Sequence, residues 1–270
     1  MASFLDRIHK TISEQSALCL GIDPSESELR EWGLPNSSQG VLDYGLKLVD
    51  AAAGNLGFVK PQVAFFERFG SAGLLALEQI LAEARAANLF VIADAKRGDI
   101  GSTAEHYAKE AYVRYQADAV TVNPYMGTDS LMPYLQYESR GIFVLCRTSN
   151  AGGDDFQMLS TNHHPLYMEV AKQASDRWNQ HEQVGLVVGA TYPKEIEAVR
   201  HVAKTLPLLI PGIGAQGGDL VATVHAGKTA NGGMLINSSR AIIYAGHDEH
   251  WQQAAAQAAR QTKDDINAAF

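Results

Sequence analysis

Short, nearly continuous apolar runs alternate along the chain with longer segments of helical periodicity. Runs such as LFVIADAK and QVGLVVGA are rich in branched residues, which is typical of parallel strands covered on both faces. These runs predict eight strands, at residues 17–23, 57–61, 89–96, 117–123, 141–147, 184–190, 206–213 and 233–237. Apolar spacings of three and four residues predict helices at residues 39–53, 71–87, 102–115, 165–179, 193–205, 218–226 and 249–269.

Eight predicted strands that alternate with predicted helices are typical of a closed (β/α)8 barrel, and 270 residues is an ordinary length for one such barrel. We therefore expect a single TIM-barrel domain over residues 1–270, with a closed parallel sheet of eight strands. An open, doubly wound α/β sheet is the alternative, because the pattern does not show whether the first strand pairs with the last. Ser102 and Glu105 have the spacing of a capping box, which predicts that a helix begins there.

The net charge and the cysteine content argue against several classes of protein. The formal charge of −8 argues against a nucleic-acid-binding surface, which needs a basic patch. The two cysteines lack the spacing of a zinc site or a disulfide framework, and none of the nine histidines belongs to an HExxH motif. No apolar leader or stretch of membrane-spanning length is present, so we expect a cytoplasmic protein with no metal and no membrane partner.

Charged residues stand at the ends of the first three predicted strands, where (β/α)8 enzymes carry their chemistry. Asp23 ends the first strand and Lys60 the second, while Asp94, Lys96 and Asp99 end or follow the third. Asp94 and Lys96 are two residues apart, which places them on one face of a strand. Charges in a barrel interior are costly unless they are paired or functional. Alternating ammonium and carboxylate groups favour a catalytic array, with a structural ion-pair network as the alternative.

Glycine-rich and cationic segments follow the last two predicted strands. The seventh strand runs into PGIGAQGG at residues 211–218, and the eighth into SSR, which ends at Arg240. In barrels, the loops after these strands build a phosphate site from backbone N–H groups and a helix N-terminus. Gln216 and the guanidinium fork of Arg240 supply further donors for a phosphate. The G-x-G-x-x-G match is also typical of dinucleotide sites, but the next strand lacks the acidic residue that such a site needs.

The motifs at these strand ends match one family. The segment DAKRGDI, residues 94–100, resembles the D-x-K-x-x-D-I signature of the orotidine 5'-monophosphate decarboxylases. The segments GIDP, FVKPQVAFFE, CRTSN, PGIGAQGG and SSR extend the resemblance over nearly the whole barrel, and the wider pattern is similar to the longer bacterial branch. The resemblance implies decarboxylation of orotidine 5'-monophosphate to UMP and CO2, the last step of de novo pyrimidine nucleotide synthesis, without a cofactor.

The resemblance also implies a role for each matching residue. The catalytic charges would be Lys60, Asp94, Lys96 and Asp99, with Lys96 stabilising and protonating C6 of the pyrimidine. The substrate would be held by Asp23 at a ribose hydroxyl, Ser149 at the pyrimidine, and Gly214, Gln216 and Arg240 at the 5'-phosphate, with Pro211 as a further substrate-binding residue. The protein would be a homodimer in which Asp99, Ile100 and Thr103 reach across the interface to the neighbouring site.

Two alternatives stay open. Sibling lyases and aldolases that act on sugar phosphates share D-x-K-x-x-D on the same barrel, but they use Mg²⁺ and a glutamate at the end of the second strand. Lys60 occupies that position here and would repel the metal ion. The other alternative is a barrel that binds phosphate without catalysis; the presence of every charged position that the chemistry needs argues against it.

Overall fold

Eight parallel strands close into a barrel, and two short strands form a separate antiparallel hairpin. The computed structural model describes residues 2–161, 163–213, 218–230, 233–246 and 250–270. The strands in chain order are β1 (Leu18–Ile22), β2 (Phe58–Pro61), β3 (Phe90–Arg97), β4 (Ala119–Val122), β5 (Gly141–Arg147), β6 (Ser160–Thr161), β7 (His164–Pro165), β8 (Val184–Val188), β9 (Leu208–Pro211) and β10 (Met234–Asn237). The hairpin is β6 with β7.

The pairing of the first strand with the last decides between the two expected sheets. β1 pairs in parallel with β10, with Leu18 opposite Ile236 and Cys19 opposite Asn237. The sheet therefore has no free edge, and the predicted closed (β/α)8 barrel is confirmed. All eight predicted barrel strands are present, and β5 has the predicted bounds.

Helices lie between consecutive strands of the barrel, and others precede β1 and follow β10. They are α1 (Phe4–Glu14), α2 (Glu26–Glu31), α3 (Ser38–Ala52), α4 (Ala64–Glu67), α5 (Gly70–Ala86), α6 (Gly101–Lys109), α7 (Thr128–Leu135), α8 (Asp154–Gln157), α9 (Leu166–Gln173), α10 (Pro193–Val202), α11 (Leu220–Gly227), α12 (Arg240–Ile243) and α13 (Trp251–Ala269). Five-residue π-helical segments extend α6 and α9. In the described parts of the chain, no helix combines the length and apolar character that crossing a membrane requires.

The predicted capping box after the third strand is wrong. α6 begins at Gly101, its N-cap is Ile100, and no side chain caps it, so Ser102 and Glu105 lie inside the helix. Gly101 has a φ of +53°, a conformation that glycine adopts without steric cost. The chain therefore turns into the helix before it reaches the serine.

The amphipathic helix α1, which the sequence patterns did not predict, closes the N-terminal end of the barrel. Phe4 and Ile8 are fully buried and belong to the cluster of apolar side chains that fills the barrel interior. The Phe4 ring centroid lies 5.9 Å from those of Phe90 and Phe143. A Cβ atom on Gly141 would lie 2.5 Å from the Phe4 ring, so only glycine fits there. The N-terminal end of the barrel interior is therefore filled by apolar side chains.

Candidate active site

Polar side chains form the layer of the barrel interior nearest the C-terminal ends of the strands. Side chains alternate between the two faces of a strand, so a residue two positions beyond an interior apolar residue also faces inward. On three neighbouring strands the apolar residue and its polar successor are Phe58 and Lys60, Ile92 and Asp94, and Ala119 and Thr121. The local sequence thus places an ammonium group, a carboxylate and a hydroxyl together above an apolar filling.

Asp94 is the centre of this layer. Its Oδ2 lies 2.7 Å from Lys60 Nζ and its Oδ1 lies 2.6 Å from Lys96 Nζ. Thr121 Oγ1 also donates to Oδ1, at 2.9 Å. The side chains of Lys60 and Asp94 are 8% and 7% exposed, whereas that of Lys96 is 44% exposed. One carboxylate therefore holds two lysines, of which only Lys96 is open to solvent.

The end of β3 departs from regular strand geometry. Ala93 pairs with Val120 and Arg97 with Val122, so residues 94–96 stand opposite Thr121 alone. Lys96 has a φ of +47°, a conformation that costs a non-glycine residue about 1–3 kcal/mol. Its backbone N–H donates to Thr121 Oγ1 at 2.9 Å. The predicted meeting of Asp94 and Lys96 is present, but a bulge fixed by Thr121 produces it rather than simple strand alternation.

The charges in this layer shift one another's pKa values. Burial alone would lower the pKa of Lys60, but the neighbouring Asp94 and Asp23 carboxylates outweigh it and raise that pKa. Burial alone would raise the pKa of Asp94, but Lys60 and Lys96 hold it well below its usual range. Asp23 differs, because burial together with the charge of Asp94 raises its pKa in spite of Lys60. Lys60 is therefore held cationic and Asp94 anionic.

Two cavities open at this end of the barrel and meet at Lys60 and Pro211, which line both. The arginine cavity, of about 340 Å³, is also lined by Asp23, Asn237 and Arg240. The serine cavity, of about 360 Å³, is also lined by Asp94, Lys96, Thr121 and Ser149. Together they form one elongated site that has a cation at one end and a hydroxyl-bearing loop at the other.

Two buried oxygen atoms in the arginine cavity have no partner among the described residues: Asp23 Oδ1 and Asn237 Oδ1. A buried acceptor that lacks a hydrogen bond is costly, so both are suited to a ligand that brings hydroxyl groups. Sequence reasoning predicted Asp23 but missed Asn237 and Thr121. The available signal was the same for both, namely a polar residue on the inward face of an otherwise apolar strand. Asn237 ends the strand MLIN, and Thr121 lies within the strand AVTV.

Arg240 is the first residue of α12 and is exposed. It makes no ion pair with any residue that the structure describes, so its guanidinium group is available to a ligand in the arginine cavity. Two other predicted phosphate ligands, Gly214 and Gln216, lie outside the described residues.

The remaining predicted residues lie beside the site. Asp99 Oδ1 accepts from the backbone N–H of Ile100 at 2.8 Å, and within the described ranges Asp99 forms no ion pair with Lys96. Ile100 is 54% exposed and Thr103 is exposed on α6. Gly98, which precedes Asp99, lies next to Met126, because a Cβ atom on Gly98 would lie 3.5 Å from Met126 Cε. The fold of one chain therefore does not bring Asp99 into the Lys60–Asp94–Lys96 array.

Comparisons with known proteins agree on one family. The model of the "Orotidine 5'-phosphate decarboxylase / HUMPS family" matches residues 16–257. The orotidine 5'-phosphate decarboxylase of Ralstonia nicotianae is 54% identical over 255 residues, which cover 93% of each chain. The solved structure of Leishmania donovani OMP decarboxylase has 38% identity and a TM-score of 0.87, with 99% of each chain covered.

A longer solved structure matches as well. Leishmania donovani UMP synthase has 40% identity and a TM-score of 0.88, and the match covers 100% of this chain and 57% of that chain. The present chain thus corresponds to little more than half of the synthase. With the family model matching 242 of 270 residues, from 16 to 257, the family indicated by the sequence motifs is confirmed. The chain belongs to the orotidine 5'-phosphate decarboxylase / HUMPS family.

Proposed function

We propose that this chain decarboxylates orotidine 5'-monophosphate to UMP and CO2, the last step of de novo pyrimidine nucleotide synthesis. The observation that carries the proposal is the buried Asp94 carboxylate between Lys60 and Lys96, 2.7 and 2.6 Å from their Nζ atoms. Membership of the family, with a relative 54% identical over 93% of the chain, supports the same reaction.

Lys96 is the proton donor in this proposal. When CO2 leaves, the electron pair of the broken C–C bond stays on C6 of the pyrimidine, and no cofactor accepts it. An ammonium group beside C6 stabilises that charge as it develops and then transfers a proton from Nζ to C6. The 44% exposure of the Lys96 side chain leaves it accessible from the serine cavity, while Asp94 keeps its ammonium group in place. Lys60, buried on the other oxygen of Asp94, fixes the carboxylate.

The elongated site suits the three parts of the substrate. Arg240, with Gly214 and Gln216, binds the 5'-phosphate, and Asp23 accepts from a ribose hydroxyl. Ser149 holds the pyrimidine at the far end of the serine cavity, next to Lys96. Pro211 lines both cavities and lies between the two ends. The buried Oδ1 of Asn237 accepts from a second hydroxyl group of the ligand.

The active unit in this proposal is a homodimer of single-domain barrels, residues 1–270, in the cytoplasm. Asp99, Ile100 and Thr103 of one subunit complete the site of the other. Support comes from apolar side chains exposed around Asp99: Ile100 is 54%, Tyr125 85% and Met126 42% exposed. A group of large exposed apolar side chains is typical of a surface that a partner covers.

The experiment is a decarboxylation assay with the purified chain in the presence of EDTA. We expect orotidine 5'-monophosphate to be converted to UMP and CO2 at a rate that chelation does not change, because Lys60 occupies the position of the sibling enzymes' metal ligand. Absence of turnover contradicts the proposal. Turnover of a hexulose phosphate or a phosphorylated keto sugar acid that stops on chelation supports the sibling enzymes instead.

A further inference from the structure

Arg147, the last residue of β5, is a buried cation that the proposed reaction does not use. Its side chain is 2% exposed. Its Nε lies 2.7 Å from Glu195 Oε2 and its Nη2 lies 2.6 Å from Asp154 Oδ1. Its guanidinium group also stacks 4.7 Å from the ring centroid of Tyr192. Such a cation is retained only where its charge and hydrogen bonds are satisfied, and these contacts come from residues that follow β5 and β8 at the C-terminal end of the barrel.

A bulge at the end of β5 separates Arg147 from the serine cavity. Leu145 pairs with Val187 and Arg147 with Val188, so β5 carries one extra residue, Cys146. Leu145 lines the serine cavity, whereas Arg147 contacts α8 and α10. Bulges of this kind re-aim side chains next to active sites. Arg147 is therefore placed behind the cavity wall rather than in it.

The loop that follows β5 is folded around the guanidinium group. Gln157 Oε1 accepts from Arg147 Nη1 at 3.3 Å and from the backbone N–H of Thr148 at 2.9 Å. Its Nε2 donates to Thr148 Oγ1 at 2.8 Å. A Cβ atom on Gly153 would lie 2.8 Å from Arg147 Nη1, so the loop passes too close for any side chain at that position. The guanidinium group and Gln157 together fix the backbone immediately before Ser149.

Ser149 is also held from the side of β8. A Cβ atom on Gly189 would lie 2.9 Å from Ser149 Cβ, and the backbone N–H of Gly189 donates to the carbonyl of Arg147 at 2.8 Å. Ser149 thus lies between the end of the neighbouring strand and the loop that Arg147 organises. Movement of that loop would move Ser149 in the serine cavity.

We propose that Arg147 is a positioning residue, which holds Ser149 at the pyrimidine end of the site through Gln157, Asp154 and Glu195. This inference rests on the proposed function, since it assigns the pyrimidine to the serine cavity. The planar fork of arginine serves three partners at once, whereas a lysine in the same place serves fewer. Arg147→Lys would therefore keep the buried positive charge but lose hydrogen bonds that hold the loop.

The test compares two ligands by calorimetry: UMP, which carries a pyrimidine, and ribose 5-phosphate, which fills only the arginine cavity. For Arg147→Lys we expect UMP affinity to fall by roughly threefold to tenfold, the loss expected when one neutral hydrogen bond from Ser149 to the pyrimidine is removed. We expect ribose 5-phosphate affinity to stay within about twofold of wild type, since its contacts lie in the other cavity. Arg177→Lys, an exposed arginine beyond α9, is the matched control and should change neither.

A second measurement separates positioning from a general loss of structure. In a Ser149→Ala background, Arg147→Lys should weaken UMP binding by less than about twofold more, because both changes remove the same contact. The inference would be overturned if the double variant lost UMP affinity by the product of the two single losses. It would also be overturned if Arg147→Lys lost as much affinity for ribose 5-phosphate as for UMP. Glu195→Gln, which keeps the arginine, should show a smaller version of the same pattern and replaces Arg147→Lys if that variant does not fold.

Failure of the proposed function gives a different result from failure of this inference. A wild-type chain that binds UMP but does not decarboxylate orotidine 5'-monophosphate contradicts the function and leaves the ligand comparison valid. A wild-type chain that does not bind UMP overturns both. Asp154→Asn, which removes one of the two acidic partners of Arg147, should also weaken UMP binding and leave ribose 5-phosphate affinity unchanged. Asp155→Asn is its control, because Asp155 is the next residue on α8 and, among the described residues, forms no ion pair with Arg147.

Discussion

Lys60 and Asp94 form a hydrogen-bonded ion pair, 2.7 Å from Nζ to Oδ2, at the C-terminal end of the barrel interior. The pair is almost fully buried, and the other oxygen of Asp94 is shared by Lys96 and Thr121. Because burial weakens solvent screening, each charge in this group depends on the others. Removing the single carboxylate leaves two ammonium groups without a partner in the array.

Asp94→Asn is therefore expected to destabilise the fold as well as to abolish turnover. Asparagine keeps the volume and one acceptor but leaves the Lys60 charge buried and unpaired, which costs about 3–5 kcal/mol. Urea unfolding at neutral pH measures this loss. Asp50→Asn, on the exposed side of α3, is the control and should stay within about 0.5 kcal/mol of wild type.

Wild type and Asp94→Asn together also test the direction of the pKa shift of Asp94. The pKa of the Asp94 carboxyl is held well below its usual value, and that of the unfolded chain is about 3.9. Between these two values the unfolded state binds the proton and the folded state does not, so acid favours unfolding. The stability that Asp94 adds is thus present above about pH 4 and is lost as the pH falls through its folded pKa. A stability difference between wild type and Asp94→Asn that grew on acidification would contradict this sign.

Arg240→Ala is expected to weaken phosphate binding without unfolding the protein. The phosphate loses a charge partner, so KM should rise and kcat/KM should fall. The fall in kcat/KM should correspond to about 2–4 kcal/mol of lost transition-state stabilisation. Steady-state kinetics with orotidine 5'-monophosphate measure the effect, and Arg260→Ala, exposed on α13, is the control. Unchanged kinetic parameters would remove Arg240 from the site.

Mixing two inactive variants tests the contribution of Asp99 across the interface. Lys96→Ala and Asp99→Ala should each be inactive alone. If the two residues of one site come from different subunits, a mixed dimer has one site with both residues intact. Random exchange of subunits then restores about a quarter of the wild-type activity. Failure of the mixture to regain activity, with exchange of subunits shown by light scattering on differently sized fusions, would place Asp99 outside the neighbouring site.

Strand patterns predicted the barrel well, because its parallel strands are buried on both sides and read as apolar runs. The charged residues of the site were equally visible, since Lys60 and Asp94 interrupt such runs. Thr121 and Asn237 were missed because a single hydroxyl or amide in an apolar strand does not reveal a ligand or a bulge. Helix α1 was missed because it precedes the first strand and its apolar residues pack into the N-terminal end of the barrel, outside any βα unit. The contacts of Arg147 depend on loop geometry, which no periodic pattern encodes.

The most direct test of the account is turnover by Lys96→Ala. Lys96 lines the serine cavity, and its side chain is 44% exposed, whereas that of Lys60 is buried. Lys96→Ala therefore removes the accessible ammonium group and leaves the buried Lys60–Asp94 ion pair, which stabilises the fold, intact. We predict that it retains the unfolding transition of wild type and still binds UMP, but converts orotidine 5'-monophosphate no faster than the uncatalysed reaction. Turnover by a folded Lys96→Ala protein within about a hundredfold of wild type would contradict a role for Lys96 as the proton donor to C6.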